Sequence, residues 1–483
     1  MRRSIIFLCL ALVFVSCKSG SSNSSPSQDD SSATDITLAA PEKLKDGELA
    51  TYQARLNELF DKQLINRNFN GAILVAKGGN ILYEKYVGFT DPKAKITPIT
   101  DSSSFHLAST SKPFTGVTIL KLIQQGKVHL TDDLIQYFPD FPYPGVTVKD
   151  LLSHRSGLPN YLYFMEDKEK WPAKQMVTNT DVLNFLVQYK PNLSYRTGSR
   201  FSYCNTNYVL LALIIEKVTG KSYPQYLSET IFKPLGMEHT FVYTPTDSGR
   251  VMMSYKPSGV LWDQDIFDHT YGDKNIYSTP RDMMKWDAAL YNDAFISQTL
   301  LDSAYQPLSN ETPSTHNYGL GWRLLNLPNG KKVIYHNGKW HGFSPAFARL
   351  TSEKAVIIIL GNQYNSSIYK AAKLAYNAFG DYMQNDTQAE EEPTITPIPR
   401  PIAVEKKKTA PSQAQKVKEA PKKTNKVKPE SQPKVTAKPK TTPKAKATTA
   451  KPVIKTTKTV KPAAKKQTST TSKKTESVKK KKS

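Results

Sequence analysis

The chain ends in a segment that cannot form a hydrophobic core. Between Pro401 and Ser483 there are 26 lysines, four glutamates, no arginine and no aromatic residue, which gives a net charge of +22. The whole chain carries +24, so the 400 residues before this segment are almost neutral. A sequence with so few apolar residues and so much like charge is expected to stay disordered. We therefore predict a disordered Lys/Pro/Ala/Thr-rich basic tail over 386–483 and assign the fold to the residues before it.

The charge of this tail also suggests its partners. A flexible polycation binds phosphate-rich or acidic polymers electrostatically, and the binding weakens steeply as salt is added. The composition is similar to that of a linker-histone tail, but the export signal described next argues against nucleic acid. We predict that the tail binds anionic envelope polymers, such as acidic lipid headgroups, lipopolysaccharide phosphates or acidic wall polymers. The alternative is a solvated spacer that has no partner.

The first residues are typical of a targeting signal. Two arginines precede an apolar stretch, Ile5 to Val15, which is too short to span a membrane. The stretch ends in Phe14-Val-Ser-Cys17, which resembles the cleavage site of bacterial lipoproteins. We predict a signal peptide over 1–16 and a lipid on Cys17. The alternative is an ordinary signal peptide that is cut nearby.

A Ser-rich segment, Ser19 to Ala33, follows the cleavage site and predicts a flexible tether over 17–47. The protein is then expected in the bacterial cell envelope, anchored by its lipid on the periplasmic or surface face of a membrane. Cysteine usage agrees with this interpretation, because Cys9 lies in the signal and only Cys204 remains in the folded part. Such a chain has no disulfide framework and no metal cluster. We predict neither a metal nor a cofactor.

The residues between tether and tail alternate between helix-like and strand-like segments. A helix is predicted over Glu48–Asn66, and a hairpin over Gly71–Ala76 and Asn80–Gly88. Later elements are strands over Leu320–Leu325, Lys332–Tyr335, Ser344–Leu350 and Val356–Leu360 and a last helix over Ser367–Met383. Early and late strands that share a sheet indicate an α+β domain over 48–385. We predict an antiparallel sheet of five or more strands, flanked by helices, with a helical subdomain over 110–290.

Ser109-Thr-Ser-Lys112 joins a candidate nucleophile to a candidate base. A serine hydroxyl needs an adjacent base, and a lysine can serve only when burial or nearby cations lower its pKa. The motif opens an amphipathic segment, Thr110 to Gln125, which places both side chains on one face of a predicted helix. Orphan N–H groups at a helix start favour negative charge on a substrate. The same spacing occurs three more times in the chain, so the pattern alone is weak.

Tyr203-Cys-Asn205 lies in a polar loop that opens an apolar helix, predicted over Tyr208–Val218 and closed by Gly220. A tyrosine oxygen near Lys112 could share the proton relay. Asn205 could bind a substrate amide or hold the lysine. The alternative is a tyrosine packed at a helix start, with Asn205 as its N-cap.

His336-Asn-Gly338 ends the strand-like run that begins at Lys332. His336 could hydrogen-bond the leaving part or the carboxylate of a substrate. Gly338 would let the backbone approach the substrate, and the next N–H groups, beginning at Lys339, could complete an oxyanion hole. The alternative is an ordinary polar residue at a strand end. His341 is a second candidate for any role given to His336.

With these motifs the chain resembles the serine beta-lactamase and penicillin-binding-protein superfamily over roughly residues 50 to 385. The resemblance is closest to the class C-like branch, which includes class C beta-lactamases, D,D-peptidases, D-aminopeptidases and esterases. Three further segments carry it: Thr147-Val-Lys-Asp-Leu-Leu-Ser-His154-Arg-Ser-Gly157-Leu-Pro, Gly272-Asp-Lys-Asn-Ile-Tyr-Ser-Thr-Pro-Arg-Asp-Met and Ala355-Val-Ile-Ile-Ile-Leu-Gly-Asn362. The resemblance implies a beta-lactamase/transpeptidase-like fold.

The resemblance also implies a role for each motif residue. Ser109 would be the acyl-accepting nucleophile and Lys112 its proton partner. Tyr203 would be the second general acid and base, with Asn205 beside it. The oxyanion would be bound by the backbone N–H groups of Ser109 and Lys339.

Two positions depart from the family pattern. His336 stands where many relatives have the lysine of a Lys-Thr-Gly triplet, so a permanent positive charge for substrate carboxylates is weakened. This favours a peptidase, amidase or esterase over an efficient beta-lactamase. Cys204 places an oxidisable thiol beside the site. His154 and Gly157 match the family signature, which implies a mainly structural role for them.

These observations predict an active-site serine hydrolase that forms an acyl-enzyme with amide or ester substrates. The predicted substrates are cell-wall peptides that contain D-amino acids, as in D,D-carboxypeptidases and endopeptidases. The alternatives are an esterase or a D-aminopeptidase-like amidase of the same fold, or a non-catalytic envelope module that binds wall peptides. The presence of Ser109, Lys112 and Tyr203 together argues against the non-catalytic module.

Overall fold

The computed structural model describes residues 36–385. The strands of this part are β1 (Gly71–Lys77), β2 (Asn80–Val87), β3 (Phe105–His106), β4 (Phe241–Val242), β5 (Ile276–Ser278), β6 (His316–Tyr318), β7 (Arg323–Asn326), β8 (Lys332–Asn337), β9 (Ala346–Leu350) and β10 (Ala355–Gly361). Among them, seven form one antiparallel sheet in the order β2-β1-β10-β9-β8-β7-β6. The predicted α+β fold with an antiparallel sheet is confirmed.

The large sheet joins the two ends of the folded domain. β1 pairs with β10 so that Gly71 lies opposite Gly361 and Lys77 lies opposite Ala355. Side chains along β1 and β10 are buried on both faces, which is typical of a sheet covered on both sides. The predicted hairpin is also confirmed, because β1 turns into β2 over two glycines that both have positive φ.

Helices cover both faces of this sheet. They are α1 (Glu48–Gln63), α2 (Lys112–Gln124), α3 (Val148–Leu152), α4 (Tyr161–Phe164), α5 (Asn179–Tyr189), α6 (Thr206–Thr219), α7 (Tyr223–Leu227), α8 (Pro280–Ala289), α9 (Gln298–Ala304) and α10 (Ser367–Tyr376). In the part of the chain that the structure describes, none of the helices has both the length and the apolar character needed to cross a bilayer.

The alternation of side chains along β10 separates two hydrophobic cores. Ile357 and Ile359 face one core, to which α1 and α10 contribute. Ile358 and Leu360 face the larger core, which includes residues of α2, α6 and α8. In the larger core the ring of Trp286 from α8 is fully buried, and it packs in a stacked arrangement on a phenylalanine of α2 with a centroid separation of 3.9 Å. The larger core therefore fixes α2, the helix that follows Ser109.

The first helix, predicted to Asn66, ends at Gln63, and two other predicted elements extend across a turn. The apolar run at 320–325 is not one strand, because Gly321 turns the chain with a φ of 90° and β7 begins only at Arg323. The last helix ends at Tyr376 instead of continuing to Met383, and a 3₁₀ turn follows. In both places an apolar pattern continues through a backbone turn, so hydrophobicity alone extends the element too far.

The second, small sheet positions the candidate nucleophile. It has the order β3-β5-β4, and in it Phe105 lies opposite Ser278 and His106 lies opposite Tyr277. This pairing places the segment before β5, which contains Gly272-Asp-Lys-Asn, beside the start of α2. Strands of two or three residues are too short to show a periodic pattern, which is why β4 and β5 were not predicted.

Residues 36–47 lie against the folded domain. The backbone N–H of Ile36 donates to the Pro234 carbonyl at 2.9 Å, and that of Glu42 donates to a carbonyl in the β1–β2 turn at 2.7 Å. The end of the predicted tether is therefore packed on the domain. Outside the described residues lie the predicted signal peptide over 1–16, the lipidated Cys17, the tether up to residue 35 and the basic tail over 386–483.

Candidate active site

Ser109 lies on a tight turn between β3 and α2. The chain takes a left-handed conformation at Ala108, with a φ of 46°, and makes a 3₁₀ turn over Ala108–Ser111. A non-glycine residue at positive φ is strained, so surrounding contacts must hold it in place. The α-helix predicted from Thr110 therefore begins at Lys112. This turn presents the half-buried Ser109 side chain at the start of the helix.

Lys112 contacts the candidate nucleophile. Its Nζ lies 3.1 Å from Ser109 Oγ and donates to the Asp273 carbonyl at 2.9 Å. The Lys112 side chain is fully buried. The ring centroids of Tyr203 and Tyr208 lie 5.0 and 5.6 Å from its Nζ. The fold thus brings the predicted nucleophile and base into contact, with the base fully buried and the nucleophile half-buried.

Tyr203 lies beside Lys112, as the second motif suggests. Its ring lies in a tilted arrangement 4.3 Å from the ring of His154 and 6.3 Å from that of His336, measured between centroids. The guanidinium of Arg323 lies 5.2 Å from the Tyr203 ring centroid. A half-buried phenol between a lysine and an arginine is well placed to exchange a proton with a leaving group.

Cys204 and Asn205 follow Tyr203 at the start of α6. Asn205 takes the N-cap position, as the alternative interpretation expects, but its side chain makes no capping hydrogen bond. The Cys204 thiol is buried, with Sγ 3.5 Å from the Pro159 carbonyl. Burial raises the pKa of the Cys204 thiol to about 11. Burial and the raised pKa disfavour the thiolate, so oxidation at this position, predicted from the sequence, requires access to a buried thiol.

His336 is fully buried at the end of β8. Its Nδ1 donates to the Asn337 carbonyl at 2.7 Å, which leaves Nε2 to accept from the Tyr318 hydroxyl at 3.3 Å. Burial, together with the charges of Arg323 and Lys112, holds the pKa of His336 well below its usual range. His336 is therefore neutral at physiological pH and supplies no positive charge for a carboxylate.

Gly338 brings the third motif against the nucleophile turn. A Cβ added at Gly338 would lie 2.6 Å from the Leu107 carbonyl oxygen and 3.0 Å from Ala108 Cβ, so only glycine allows this approach. The Gly338 N–H is taken by the Pro345 carbonyl at 2.9 Å. Gly338 is thus a packing residue, and the role of the Ser109 and Lys339 N–H groups as oxyanion donors stays a prediction.

His154 and Gly157, from the family signature, contact the backbone around Tyr203 and the preceding loop. His154 Nδ1 accepts from the Cys204 N–H and from the Asn207 side chain, both at 3.1 Å. At Gly157, where φ is 71°, an added Cβ would lie 2.0 Å from the Tyr195 carbonyl oxygen. Both positions fit the structural role that the resemblance implies.

Sequence reasoning missed a chain of hydrogen bonds that holds the nucleophile turn. His106 Nδ1 accepts from the Ala108 N–H at 3.0 Å, so its Nε2 carries the proton and donates to Asn275 Oδ1 at 2.7 Å. Burial lowers the pKa of His106 to about 3, which keeps this arrangement neutral. The Asn275 amide donates in turn to the Asp268 carbonyl at 2.7 Å.

The same series of hydrogen bonds reaches the loop that follows the third motif. The Asp268 carboxylate accepts from Trp340 Nε1 at 2.7 Å and from His341 Nε2 at 3.0 Å. Burial raises the pKa of Asp268, but the His341 hydrogen bond and charge outweigh burial and lower it overall. Asp268 therefore connects the turn before Ser109, through its backbone carbonyl, to the loop after Gly338, through its carboxylate. His341 takes part in this connection through Asp268, whereas His336 contacts Tyr318. The two histidines therefore have different partners.

Replacing Asp268 with asparagine should slow acylation of Ser109 by about 10- to 100-fold, because small displacements of reacting groups have effects of this size. The charged bond to His341 is lost, which should also reduce the free energy of unfolding by about 1–3 kcal/mol. The rate of covalent labelling by a fluorophosphonate and urea unfolding measure the two effects. Asp263→Asn, at an exposed position in the same loop, is the matched control. Wild-type labelling rates in Asp268→Asn would contradict the connection.

An open groove of about 510 Å³ lies next to the site, and two of its lining residues contact site residues: Arg323 packs on the Tyr203 ring, and Tyr318 hydrogen-bonds His336. It is lined by Arg200, Phe201, Ser309, Glu311, Thr312, Ser314, His316, Asn317, Tyr318 and Arg323. Arginine side chains in such a groove can bind a carboxylate or another anion. Among residues 36–385, no three histidine, cysteine or carboxylate side chains are grouped so that they could hold a metal ion.

Comparisons with known proteins agree on one family. The family described as Beta-lactamase matches residues 56–378. A penicillin-binding protein of Bacillus subtilis (strain 168) is 34% identical to this chain over 340 residues, covering 66% of the chain and 74% of that protein.

Solved structures give the same result at the level of the fold. A penicillin-binding protein homologue of Pyrococcus abyssi, described as octameric, superimposes with a TM-score of 0.58 at 25% identity, over 67% of this chain and 76% of that one. A D-amino acid amidase of Ochrobactrum anthropi SV3, solved with D-phenylalanine, superimposes with a TM-score of 0.55 at 24% identity, over 67% and 98% of the two chains.

Proposed function

The chain belongs to the Beta-lactamase family of serine hydrolases, and on that premise we propose that it acylates Ser109 with amide or ester substrates. The proposed substrates are cell-wall peptides that contain D-amino acids, cleaved as by a D,D-carboxypeptidase or endopeptidase. Assignment to the class C-like branch stays a prediction. The observation that carries the proposal is the 3.1 Å contact between the Nζ of the buried Lys112 and the Oγ of Ser109.

In the proposed reaction, Lys112 accepts the Ser109 hydroxyl proton while the oxygen attacks the substrate carbonyl. The Ser109 and Lys339 N–H groups stabilise the oxyanion of the tetrahedral intermediate. Tyr203 and Lys112 return the proton to the leaving amine or alcohol, which leaves an ester on Ser109. Water then hydrolyses that ester and restores the hydroxyl.

The groove beside Tyr203 supports a substrate with a free carboxylate. Because His336 is neutral, the positive charge near Tyr203 on this side comes from Arg323, which lines the groove together with Arg200. A polar groove of this size can take several residues of a peptide. The names of the relatives, which mention penicillin binding and a D-amino acid amide, also support D-amino acid chemistry.

A second candidate is an esterase or a D-aminopeptidase-like amidase. The neutral state of His336 favours it, because substrates without a carboxylate lose nothing when this position has no charge. We further propose that the protein is held in the envelope by a lipid on Cys17 and that its tail over 386–483 binds anionic polymers. These two proposals rest on the sequence alone.

Two covalent probes test the proposed function on the mature chain. A fluorophosphonate labels active serines in general, whereas a fluorescent penicillin labels only a pocket that accepts a carboxylate-bearing acyl-D-Ala-D-Ala mimic. Labelling of Ser109 by both probes is the expected result. Labelling by the fluorophosphonate alone would favour the esterase or amidase. Absence of labelling by either probe would favour the non-catalytic module.

A further inference from the structure

Arg155 follows His154 in the family signature, and the proposed reaction gives its side chain no role. Its Nη1 donates to the Leu308 carbonyl at 2.8 Å, and its Nη2 donates to the Gly198 carbonyl at 2.8 Å. The Gly198 N–H donates back to the Arg155 carbonyl at 2.8 Å. Gly198 lies in the loop before α6 and Leu308 in the loop between α9 and β6, so one guanidinium joins two loops that are far apart in sequence.

The same two loops form walls of the groove beside the candidate site. Arg200 and Phe201 line the groove from the first loop, and Ser309 and Glu311 line it from the second. Arg155 is not among the residues that line the groove, so it holds both walls from outside. Without its guanidinium, the two walls would lose these hydrogen bonds to a common partner.

Arg155 also forms an ion pair with the Glu311 carboxylate. Burial raises the pKa of Glu311, but hydrogen bonds from its own N–H and from Arg155, together with the Arg155 charge, outweigh burial and lower it. Glu311 is therefore ionised at neutral pH. The two side chains are 20% and 34% exposed, and ion pairs at such positions add little stability. The main effect of this pair is therefore to balance a negative charge on the groove wall.

This balance matters because the groove also contains two lining arginines, Arg200 and Arg323. Their guanidinium groups attract a substrate carboxylate. An unbalanced Glu311 would repel that carboxylate and would compete with it for the same arginines. Because Arg155 balances Glu311, the charge that the groove presents to a substrate is positive.

We propose that Arg155 is a positioning residue that makes the groove selective for substrates with a free carboxylate, because it joins the two wall loops and balances the Glu311 charge. This inference rests on the proposed acyl transfer to Ser109. Arg155 takes no part in the proton transfers of that reaction. Its effect therefore falls on substrates that carry a carboxylate and spares neutral ones.

The test compares the rates at which three probes label Ser109: a fluorescent penicillin, the methyl ester of the same penicillin and a fluorophosphonate. Only the first probe carries a carboxylate. Arg155→Ala should slow labelling by the free penicillin by about tenfold, because a like charge is left beside its carboxylate. The two neutral probes should keep nearly their wild-type rates.

Two further variants separate the charge of Glu311 from other effects. Glu311→Gln should keep or raise the penicillin rate, and Arg155→Ala combined with Glu311→Gln should restore most of it, because no unbalanced carboxylate remains. Arg196→Ala is the matched control, at an exposed arginine of the first loop that does not line the groove. It should keep the wild-type rates of all three probes.

A selective loss in Arg155→Ala that the double variant recovers is the expected result. Equal slowing of all three probes would indicate a merely structural role and overturn the proposal, as would an unchanged penicillin rate or a loss without recovery. If Arg155→Ala does not fold, Glu311→Gln carries the test, because a selective loss of penicillin labelling in it would overturn the proposal. Failure of the wild-type chain to react with the free penicillin would instead overturn the proposed peptidase function, so the two failures are distinguishable.

Discussion

Ser109→Ala should lower the turnover of any substrate by roughly 10⁴- to 10⁶-fold, as expected when the nucleophile of an acyl-transfer site is removed. The reason is geometric. The Ser109 hydroxyl is the group that Lys112 Nζ contacts at 3.1 Å, so the variant keeps the base but has no oxygen to acylate. The measurement is steady-state hydrolysis of an activated ester, together with loss of covalent labelling by the fluorophosphonate.

The matched control for this loss is Ser102→Ala, at an exposed serine in the loop before β3. Ser102→Ala should unfold within about 0.5 kcal/mol of the wild type, and Ser109→Ala should lose no more than its one hydrogen bond to the buried Lys112, about 1 kcal/mol. The control should keep wild-type turnover. Turnover in Ser109→Ala within tenfold of the wild type would mean that another group is the nucleophile.

Acid should destabilise the folded domain steeply, because three buried histidines stay neutral in it. Burial lowers the pKa of His106 to about 3 and holds the pKa values of His154 and His336 well below their usual range. In the unfolded chain each histidine binds a proton as the pH falls below about 6.5. Since the unfolded state then binds more protons than the folded state, the free energy of unfolding falls as the pH falls.

Each histidine contributes up to about 1.4 kcal/mol per pH unit, so the three together should remove about 3–4 kcal/mol between pH 6 and pH 5. That is a large share of a typical domain stability of about 5–15 kcal/mol. Burial raises the pKa of Asp287, which acts in the opposite direction and can offset at most one proton. Urea unfolding at pH 7.5, 6 and 5 measures the slope.

His154→Gln should reduce the change of unfolding free energy with pH by the contribution of one proton. His239→Gln, at an exposed histidine, should leave this pH dependence unchanged. The comparison separates buried histidines from the general acid sensitivity of carboxylates. If the free energy of unfolding of the wild type fell by less than the contribution of one proton, about 1.4 kcal/mol, between pH 6 and pH 5, the neutral state of these three side chains would be contradicted.

Local patterns were sufficient for most strands of the large sheet and for α2 and α6, but β6 was not predicted. The β1–β2 hairpin could be predicted because Gly78-Gly79 interrupts two strand-like runs, and β10 because it is a continuous β-branched run. The bounds failed at Gly321 and after Tyr376, where an apolar pattern continues across a turn. Periodicity reports which residues are buried and does not report where the backbone bends.

The candidate site was also predictable only in part. The three motifs could be found because nucleophile, base and phenol need particular residue types at short spacings. Asp268, Asn275 and His106 were missed because each contacts a partner far away in sequence, and no spacing marks such a pair. The neutral state of His336 also escaped prediction, since it depends on complete burial beside Arg323 and Lys112.

The pairing of β1 with β10 also governs when this domain can form. Gly71 finds its partner in Gly361, so the middle of the large sheet is open until nearly the whole domain has left the ribosome. Contacts of such long sequence separation slow folding and leave strand edges exposed in the meantime. A chain released before residue 355 would carry Ser109, Lys112, Tyr203 and His336 but would lack the strand that holds β1 and β9 together. Synthesis of β10 is therefore the step that completes the enzyme.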